Sequence, residues 1–223
     1  MRACYGDVLV RLKAERKRLS WSQDDISRYV HINQGNYCKI ENGKRRFSYY
    51  EIKELYKSDM DVNYIFSGRR SNYYYREFFR SCNYREALAL FSVIASVITY
   101  YWGVEGTEFW KSMYQEVKFM HLIDIDCIDQ QNLFLLVRQD LRYLQPQMAE
   151  LLEVDIKKLR DLEKGKCLPD SELLWFMYDR FHIPPAVILK DEKGLTGEMS
   201  RLIEQMDSAG KQTLIEVMKV FQK

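Results

Sequence analysis

Glycine and proline are scarce in this chain, with 10 and 4 among 223 residues, and no segment alternates apolar and polar residues as a strand does. A sheet protein built from many short strands and tight turns is therefore excluded. Apolar residues instead recur at spacings of three and four, which is the pattern of one helix face. The sequence predicts an all-α protein.

Motifs for metal binding, disulfide formation and catalysis are missing as well. The 5 cysteines stand far apart without a CxxC pair, and the 3 histidines form no HExxH or other ligand pair. This pattern favours reduced thiols in the cytoplasm over a disulfide framework or a zinc site. No nucleophile, base and orienting group stand at a recognisable spacing. We expect a non-enzymatic protein with no metal and no cofactor.

Only one long stretch lacks charge, residues 87–104, and its 18 residues reach the lower length for a membrane span. Ser92, Ser96, Thr99 and Gly103 make it a poor span, so we interpret it as a helix buried in a helical core. The first residues, "MRACYGDVLV", contain no apolar segment long enough for a secretory signal. We expect a cytoplasmic protein that does not bind membranes.

Charge is spread unevenly along the chain, although the formal total is only +2. Residues 1–70 carry 15 Lys+Arg against 9 Asp+Glu, a net +6. Residues 71–131 carry −3, residues 132–190 are neutral, and residues 191–223 carry −1. A local basic surface is the electrostatic signature of a protein that binds a polyanion. The charge pattern therefore points to residues 1–70 as the nucleic-acid-binding part.

A shift of 122 residues aligns "SQDDISRYVHINQGNYCKIENGK" with "LQPQMAELLEVDIKKLRDLEKGK" without a gap. Apolar residues match apolar residues at the inward positions, which indicates an internal repeat. We predict four segments, namely an N-terminal domain (1–70), a helical linker or dimerisation segment (71–131), a second, divergent domain (132–190) and a C-terminal helical hairpin (191–223). The positions identical in both copies include Gln23 and Gln145, Glu41 and Glu163, Gly43 and Gly165, and Lys44 and Lys166.

The stretch "NQGNYCKIENGKRR", residues 33–46, predicts a short helix with an unusual outer face. Asn33 is its expected N-cap and Gly43 its expected left-handed C-terminal residue, and Ser22 is the expected N-cap of the helix before it. If Tyr37 and Ile40 anchor this helix, then Gln34, Gly35 and Lys39 point outward. Glutamine can form two hydrogen bonds with an adenine edge, and lysine can reach the acceptors of guanine. Glycine permits close approach of the backbone. The candidate base-contacting residues are Gln34, Gly35, Asn36 and Lys39.

Groups suited to phosphate surround this face. Gln23 and the free amides at the start of the preceding helix form a candidate anion site, and cations follow the end of the outer helix. Polar base readers flanked by phosphate binders are the arrangement that DNA recognition requires. The candidate phosphate-contacting residues are Gln23, Asn33, Asn42, Lys44, Arg45 and Arg16, with Arg46 and Lys17 beside them.

The sequence "SQDDISRYVHINQGNYCKIENGKRR", followed by two predicted short helices and "VNYIFSG", resembles the helix-turn-helix family of phage repressors and Cro. The resemblance covers residues 7–68 and, in the second copy, 132–190. It implies five-helix domains with the third helix in the major groove. The expected fold is two repressor-like helix-turn-helix domains joined by a helical middle segment, with a C-terminal helical hairpin. The implied base contacts are Gln34, Gly35 and Lys39, and the implied phosphate contacts are Gln23, Asn42 and Lys44.

The chain departs from the family pattern at two places in its first copy. Three extra residues separate the first helix from Ser22, and His31 stands where a turn glycine is usual. Both departures concern the geometry of turns more than the fold.

The second copy has a different outward row, Ile156, Lys157, Arg160 and Asp161. An aspartate replaces Lys39 and an isoleucine replaces Gln34, so we expect this domain to keep the fold and to have lost or changed base readout. The candidate DNA contacts of the second domain are Gln145, Lys157, Lys158, Lys164 and Lys166.

These observations support a sequence-specific, repressor-like transcription regulator that binds double-stranded DNA through its N-terminal domain. A homodimer is expected, because a single helix-turn-helix reads few base pairs. A protein or small-molecule effector remains open as a partner. The alternative is a protein-interaction scaffold, antitoxin-like or peptide-sensing, which Asp161 and the apolar middle segment favour and the +6 segment opposes.

Overall fold

In the computed structural model, which describes residues 4–71, Tyr75, Phe79 and 82–221, the described chain is helical and contains no strand. The prediction of an all-α protein is confirmed. A segment boundary was predicted at residue 70, and residues 72–74, just after it, lie outside the described residues. The α-helices are α1 Tyr5–Arg18, α2 Gln23–Tyr29, α3 Gln34–Glu41, α4 Tyr49–Lys57, α5 Val62–Ser67, α6 Tyr84–Glu105, α7 Glu108–Val117, α8 Leu133–Asp140, α9 Gln145–Leu151, α10 Ile156–Glu163, α11 Ser171–Phe181, α12 Pro185–Leu189, α13 Glu192–Gln205 and α14 Ser208–Phe221, and a 3-10 helix spans Lys118–Leu122.

Polar capping residues fix where α2 and α3 begin. The Ser22 hydroxyl accepts from the Asp25 amide at 3.1 Å, and the Asp25 carboxylate accepts from the Ser22 amide at 2.8 Å. This reciprocal pair is a capping box. The Asn33 side chain accepts from the Asn36 amide at 2.8 Å and starts α3. Both caps stand where the sequence predicted them.

Residues in the left-handed conformation follow four of the five helices of the first copy. Two of them lie at the places where the chain departs from the family pattern. Ser20 has φ 57° in the connection after α1, and His31 has φ 58° in the turn after α2. Gly43 follows α3 with φ 72°, as predicted from its C-terminal position. The extra residues and the missing turn glycine are therefore accommodated by non-glycine residues in the left-handed region.

The repeat seen in the sequence is also a repeat of the backbone. Each left-handed residue of the first copy has a left-handed counterpart 122 positions later, although only one pair is glycine in both copies. The same turns thus recur without the same side chains. The pairs are Ser20 and Arg142, His31 and Glu153, Gly43 and Gly165, and Gly68 and Lys190.

The two equivalent glycines differ in the space around them, which allows a matched test. A Cβ on Gly43 would lie 3.2 Å from Leu9 Cδ1, whereas a Cβ on Gly165 would meet nothing within 4 Å. Left-handed backbone costs a non-glycine residue about 1–2 kcal/mol. We expect Gly165→Ala to lower the free energy of unfolding by about that amount and Gly43→Ala to lower it further, as measured by urea denaturation. An equal or larger loss for Gly165→Ala would contradict this packing.

The middle and C-terminal segments pack together through α6. This helix contacts α7, α13 and α14, and α13 also contacts α4 and α5 of the first copy. Within this layer the buried Arg201 guanidinium donates to Glu116 at 2.6 Å and to Glu198 at 2.8 Å, which joins α7 to α13. Residues 191–223, for which a C-terminal helical hairpin was predicted, contain α13 and α14, which are separated by Met206 and Asp207 and both contact α6.

Helix α6 is the one helix among the described residues that is long and apolar enough to cross a membrane, and 39% of its most apolar window is buried. Its buried face includes Leu88, Phe91, Ile94 and Ile98, each at most 1% exposed. The buried face packs against α7, α13 and α14, whereas Tyr100 and Val104 of the same helix are 61% and 65% exposed.

Candidate nucleic-acid interface

Helix α3 presents a polar edge because two apolar side chains anchor its opposite side. Tyr37 and Ile40 are each 0% exposed. Gln34, Gly35 and Lys39 are exposed, as the sequence predicted. We call residues 34–36, 38 and 39 the α3 edge; Asn36 and Cys38 within it are half-buried. The main packing partners of α3 are α1 and α2, so the edge remains open to solvent.

A buried ion pair holds α3 against α1. Arg16 Nε donates to Glu41 Oε1 at 2.6 Å, and the Glu41 side chain is only 3% exposed. Gln23 Nε2 donates to Glu41 Oε2 at 2.8 Å, and the Tyr37 hydroxyl donates to Glu41 Oε1 at 2.9 Å. Arg16 Nη1 also donates to the Trp21 carbonyl at 2.7 Å. The Glu41 carboxylate thus connects α1, α2 and α3.

The pKa values in this cluster follow from burial and hydrogen bonding. Burial raises the pKa of Glu41, but hydrogen bonds from Arg16, Gln23 and Tyr37 outweigh it and leave the pKa below its ordinary value. The hydrogen bond to Glu41 raises the pKa of Arg16. Burial and then the Glu41 charge raise the pKa of the Tyr37 hydroxyl. All three groups therefore keep their ordinary charge states at neutral pH.

The second copy contains the same arginine, glutamine and glutamate in this cluster, with Leu159 in place of Tyr37. Arg138 Nε donates to Glu163 Oε1, and Arg138 Nη2 donates to Glu163 Oε2 at 3.2 Å. Gln145 Nε2 donates to Glu163 Oε2 at 2.9 Å, and Arg138 Nη1 donates to the Tyr143 carbonyl at 3.2 Å. Each of these residues lies 122 positions after its counterpart in the first copy.

These clusters correct the predicted phosphate contacts. Arg16 does not fit that role, because its side chain is 11% exposed and its donors are directed to Glu41 and Trp21. Gln23 and Gln145 are half-buried, and each donates from its side-chain amide to a buried carboxylate. Each glutamine therefore helps to position the helices that it joins. The sequence carried a signal for this, since Arg, Gln and Glu recur at all three positions of the cluster in both copies.

The cations after α3 differ in how they are paired. Arg45 Nη2 lies 2.5 Å from Glu51, and Arg46 Nη2 lies 2.7 Å from Glu172. Lys44 is exposed and, like Lys39, makes no ion pair among the described residues. Lys39 and Lys44 are therefore the cations on and directly after α3 that can bind an anion without breaking an ion pair among the described residues.

The predicted amides beside α3 act partly as caps. Asn33 accepts from the Asn36 amide, and Asn42 Nδ2 donates to the Cys38 carbonyl at 2.9 Å. Both residues are exposed at the two ends of the helix, where their remaining polar atoms face solvent.

Helix α10 presents the corresponding edge of the second copy, which we define as Ile156, Lys157, Arg160 and Asp161. Ile156 is 41% exposed, Lys157 and Arg160 are exposed, and Asp161 is half-buried. The anchors Leu159 and Leu162 are buried at 0% and 1% exposure.

Other predicted contacts of the second copy fall into two groups. Lys164 and Lys166 are exposed and make no ion pair among the described residues. Lys158 instead lies 3.3 Å from Asp170, whose other oxygen caps α11.

Comparison with protein-family models, curated proteins and solved structures finds no match to this chain. The two copies within the chain can be compared with each other. They share the buried arginine–glutamine–glutamate cluster and the left-handed turns, and they differ in the outward edge.

Proposed function

We propose that this chain is a sequence-specific, repressor-like regulator of transcription that binds double-stranded DNA, with α3 as its first reading helix. The observation that carries the proposal is the α3 edge, where Gln34 and Lys39 are exposed on a helix whose opposite side, Tyr37 and Ile40, is fully buried. Such an edge can enter the major groove without rearrangement of the core.

The chemistry of the edge suits base reading. Gln34 offers an amide that pairs with adenine in two places, and Lys39 offers donors for guanine N7 and O6. Gly35 between them lets the backbone approach the groove closely. The buried Glu41 cluster fixes the orientation of α3, so Gln34 and Lys39 are already positioned in the free protein.

Lys44 is the clearest phosphate contact in this proposal, because it is exposed, makes no ion pair within the described part of the chain, and is adjacent to the end of α3. Each phosphate contact contributes about 0.9 to the slope of log K against log salt. We expect Lys44→Ala to weaken binding to all duplexes alike and to reduce that slope by about one unit, as measured by fluorescence anisotropy from 50 to 200 mM salt.

The control for this measurement is Lys111→Ala, which removes one charge from α7 in the middle segment. It is expected to leave the slope unchanged. A slope that falls equally for both variants would mean that net charge, and not a contact at Lys44, governs the salt dependence.

A second candidate function is a protein-interaction scaffold. Leu144, directly before α9, is 69% exposed, and Ile156, the first residue of α10, is 41% exposed. Exposed apolar side chains are more typical of a protein interface than of a DNA interface. A gel shift with random duplexes separates the two functions, since a scaffold would retain no duplex even at low salt.

A further inference from the structure

The two copies meet directly after their outward helices. The Phe47 amide donates to Ser171 Oγ at 3.1 Å, and the Ser171 amide donates to the Phe47 carbonyl at 3.0 Å. Under the 122-residue shift, Phe47 corresponds to Pro169 and Ser171 corresponds to Tyr49. Tyr49 and Pro169 are both among the residues that line one cavity of about 160 Å³. Residues of one copy that meet residues of the other near the place where their counterparts lie are the arrangement expected of an approximate twofold axis between the copies.

Helices α5 and α12 support the same axis. They are counterparts in the repeat, and they contact each other. An element touches its own counterpart when a twofold axis passes beside it, as in an isologous dimer. The Arg46–Glu172 pair at 2.7 Å adds an ionic contact to this junction. The chain is therefore paired internally in the way that separate subunits pair in a dimer.

The α10 edge is at least as well supplied with free cations as the α3 edge. Four exposed cations on or after α10 have no ion pair among the described residues, whereas Lys39 and Lys44 are the two such cations on or after α3. These cations coexist with a neutral net charge over residues 132–190, because three acidic residues of the segment are paired with other basic groups. The three are Glu163, Asp170 and Glu153. The four cations are Lys157, Arg160, Lys164 and Lys166.

The side chains of the α10 edge can read bases other than those read by α3. Ile156 offers an apolar contact for a thymine methyl group, Arg160 can pair with guanine, and Asp161 can accept from cytosine. The sequence alone left open whether the second copy has lost base readout or changed it, and these side chains favour a changed readout.

We propose that α10 is a second reading helix and that one chain, through its internal pair of domains, occupies one asymmetric duplex site made of two unlike half-sites. The proposal rests on the function proposed above. Two helices related by an approximate twofold axis read two half-sites, and unlike edges require unlike half-sites.

The test uses the full chain with duplexes selected from a random pool. We expect native mass spectrometry to show one chain per duplex. We expect Lys157→Ala/Arg160→Ala to bind the selected duplex about 10-fold more weakly or worse and to lose base preference in one half of the site only. Gln34→Ala/Lys39→Ala should lose preference in the other half. Lys111→Ala/Lys211→Ala, with the same loss of charge elsewhere, should bind as the parent does.

The outcomes separate this inference from the function on which it rests. If the α3 variant loses preference and the α10 variant binds like the parent, α10 does not read and the inference is overturned, while DNA binding through α3 stands. Two chains on a palindromic duplex would also overturn it. If neither variant changes binding, both proposals fail. The substituted side chains are exposed except for the half-buried Lys211, and thermal melting of each variant confirms that it is folded.

Discussion

Replacing Glu41 by alanine is expected to lower the free energy of unfolding by about 3–5 kcal/mol, the range found when one partner of a buried ion pair is removed. The substitution leaves the buried Arg16 guanidinium without its carboxylate and removes the acceptor of Gln23 and Tyr37. Equilibrium denaturation with urea measures the loss. Glu54→Ala is the control, since its partner Lys57 is 63% exposed and the Glu54 side chain 27% exposed, so the pair should contribute less than about 1 kcal/mol. A Glu41 variant as stable as the control would contradict the role of the cluster.

The charge of Glu41 can be tested apart from its shape with Glu41→Gln. Because the folded pKa of Glu41 lies below its ordinary value near 4.5, ionised Glu41 stabilises the fold above that value and loses this effect as pH falls through the folded pKa. The parent should therefore be the more stable protein at pH 7, and the difference should shrink below pH 4.5. A difference that stays constant down to pH 3 would show that the carboxylate charge is not involved.

Removing both polar readers of α3 is expected to abolish most base discrimination. Each good contact to a base edge contributes about 1–3 kcal/mol of discrimination, so Gln34→Ala/Lys39→Ala should lose about 2–6 kcal/mol of preference for a selected duplex over a random one. Competition binding at fixed salt measures this preference directly.

The fold should tolerate this double substitution, because both side chains are exposed and alanine is a better helix former than either. Lys13→Ala, an exposed lysine on α1, tests whether losing a basic side chain from the same copy changes preference. Unchanged discrimination in the double variant would mean that α3 does not read bases.

The features that the sequence predicted correctly depend on local signals. Ser22, Asn33 and Gly43 mark helix ends through their own side-chain or backbone chemistry. Tyr37 and Ile40 mark the buried side of α3 through their spacing. These signals act within a few residues, so a single sequence is sufficient to find them.

The features that the sequence did not predict depend on contacts between distant residues. The Arg16–Glu41 pair spans 25 residues, and the Arg46–Glu172 pair spans 126. A count of charges cannot distinguish a paired arginine from a free lysine, which is why Arg16 was expected to meet phosphate. The same limitation applies to the neutral net charge of residues 132–190, which does not show that Lys157 and Lys164 are exposed and make no ion pair among the described residues.

Selection of bound duplexes from a random DNA library tests most directly whether the α3 edge discriminates among bases. We expect the full chain to enrich a defined sequence and the Gln34→Ala/Lys39→Ala variant to fail to enrich one part of it. Recovery of sequences indistinguishable from the starting library, at a salt concentration where the chain still retains duplex, would show that the α3 edge does not discriminate among bases.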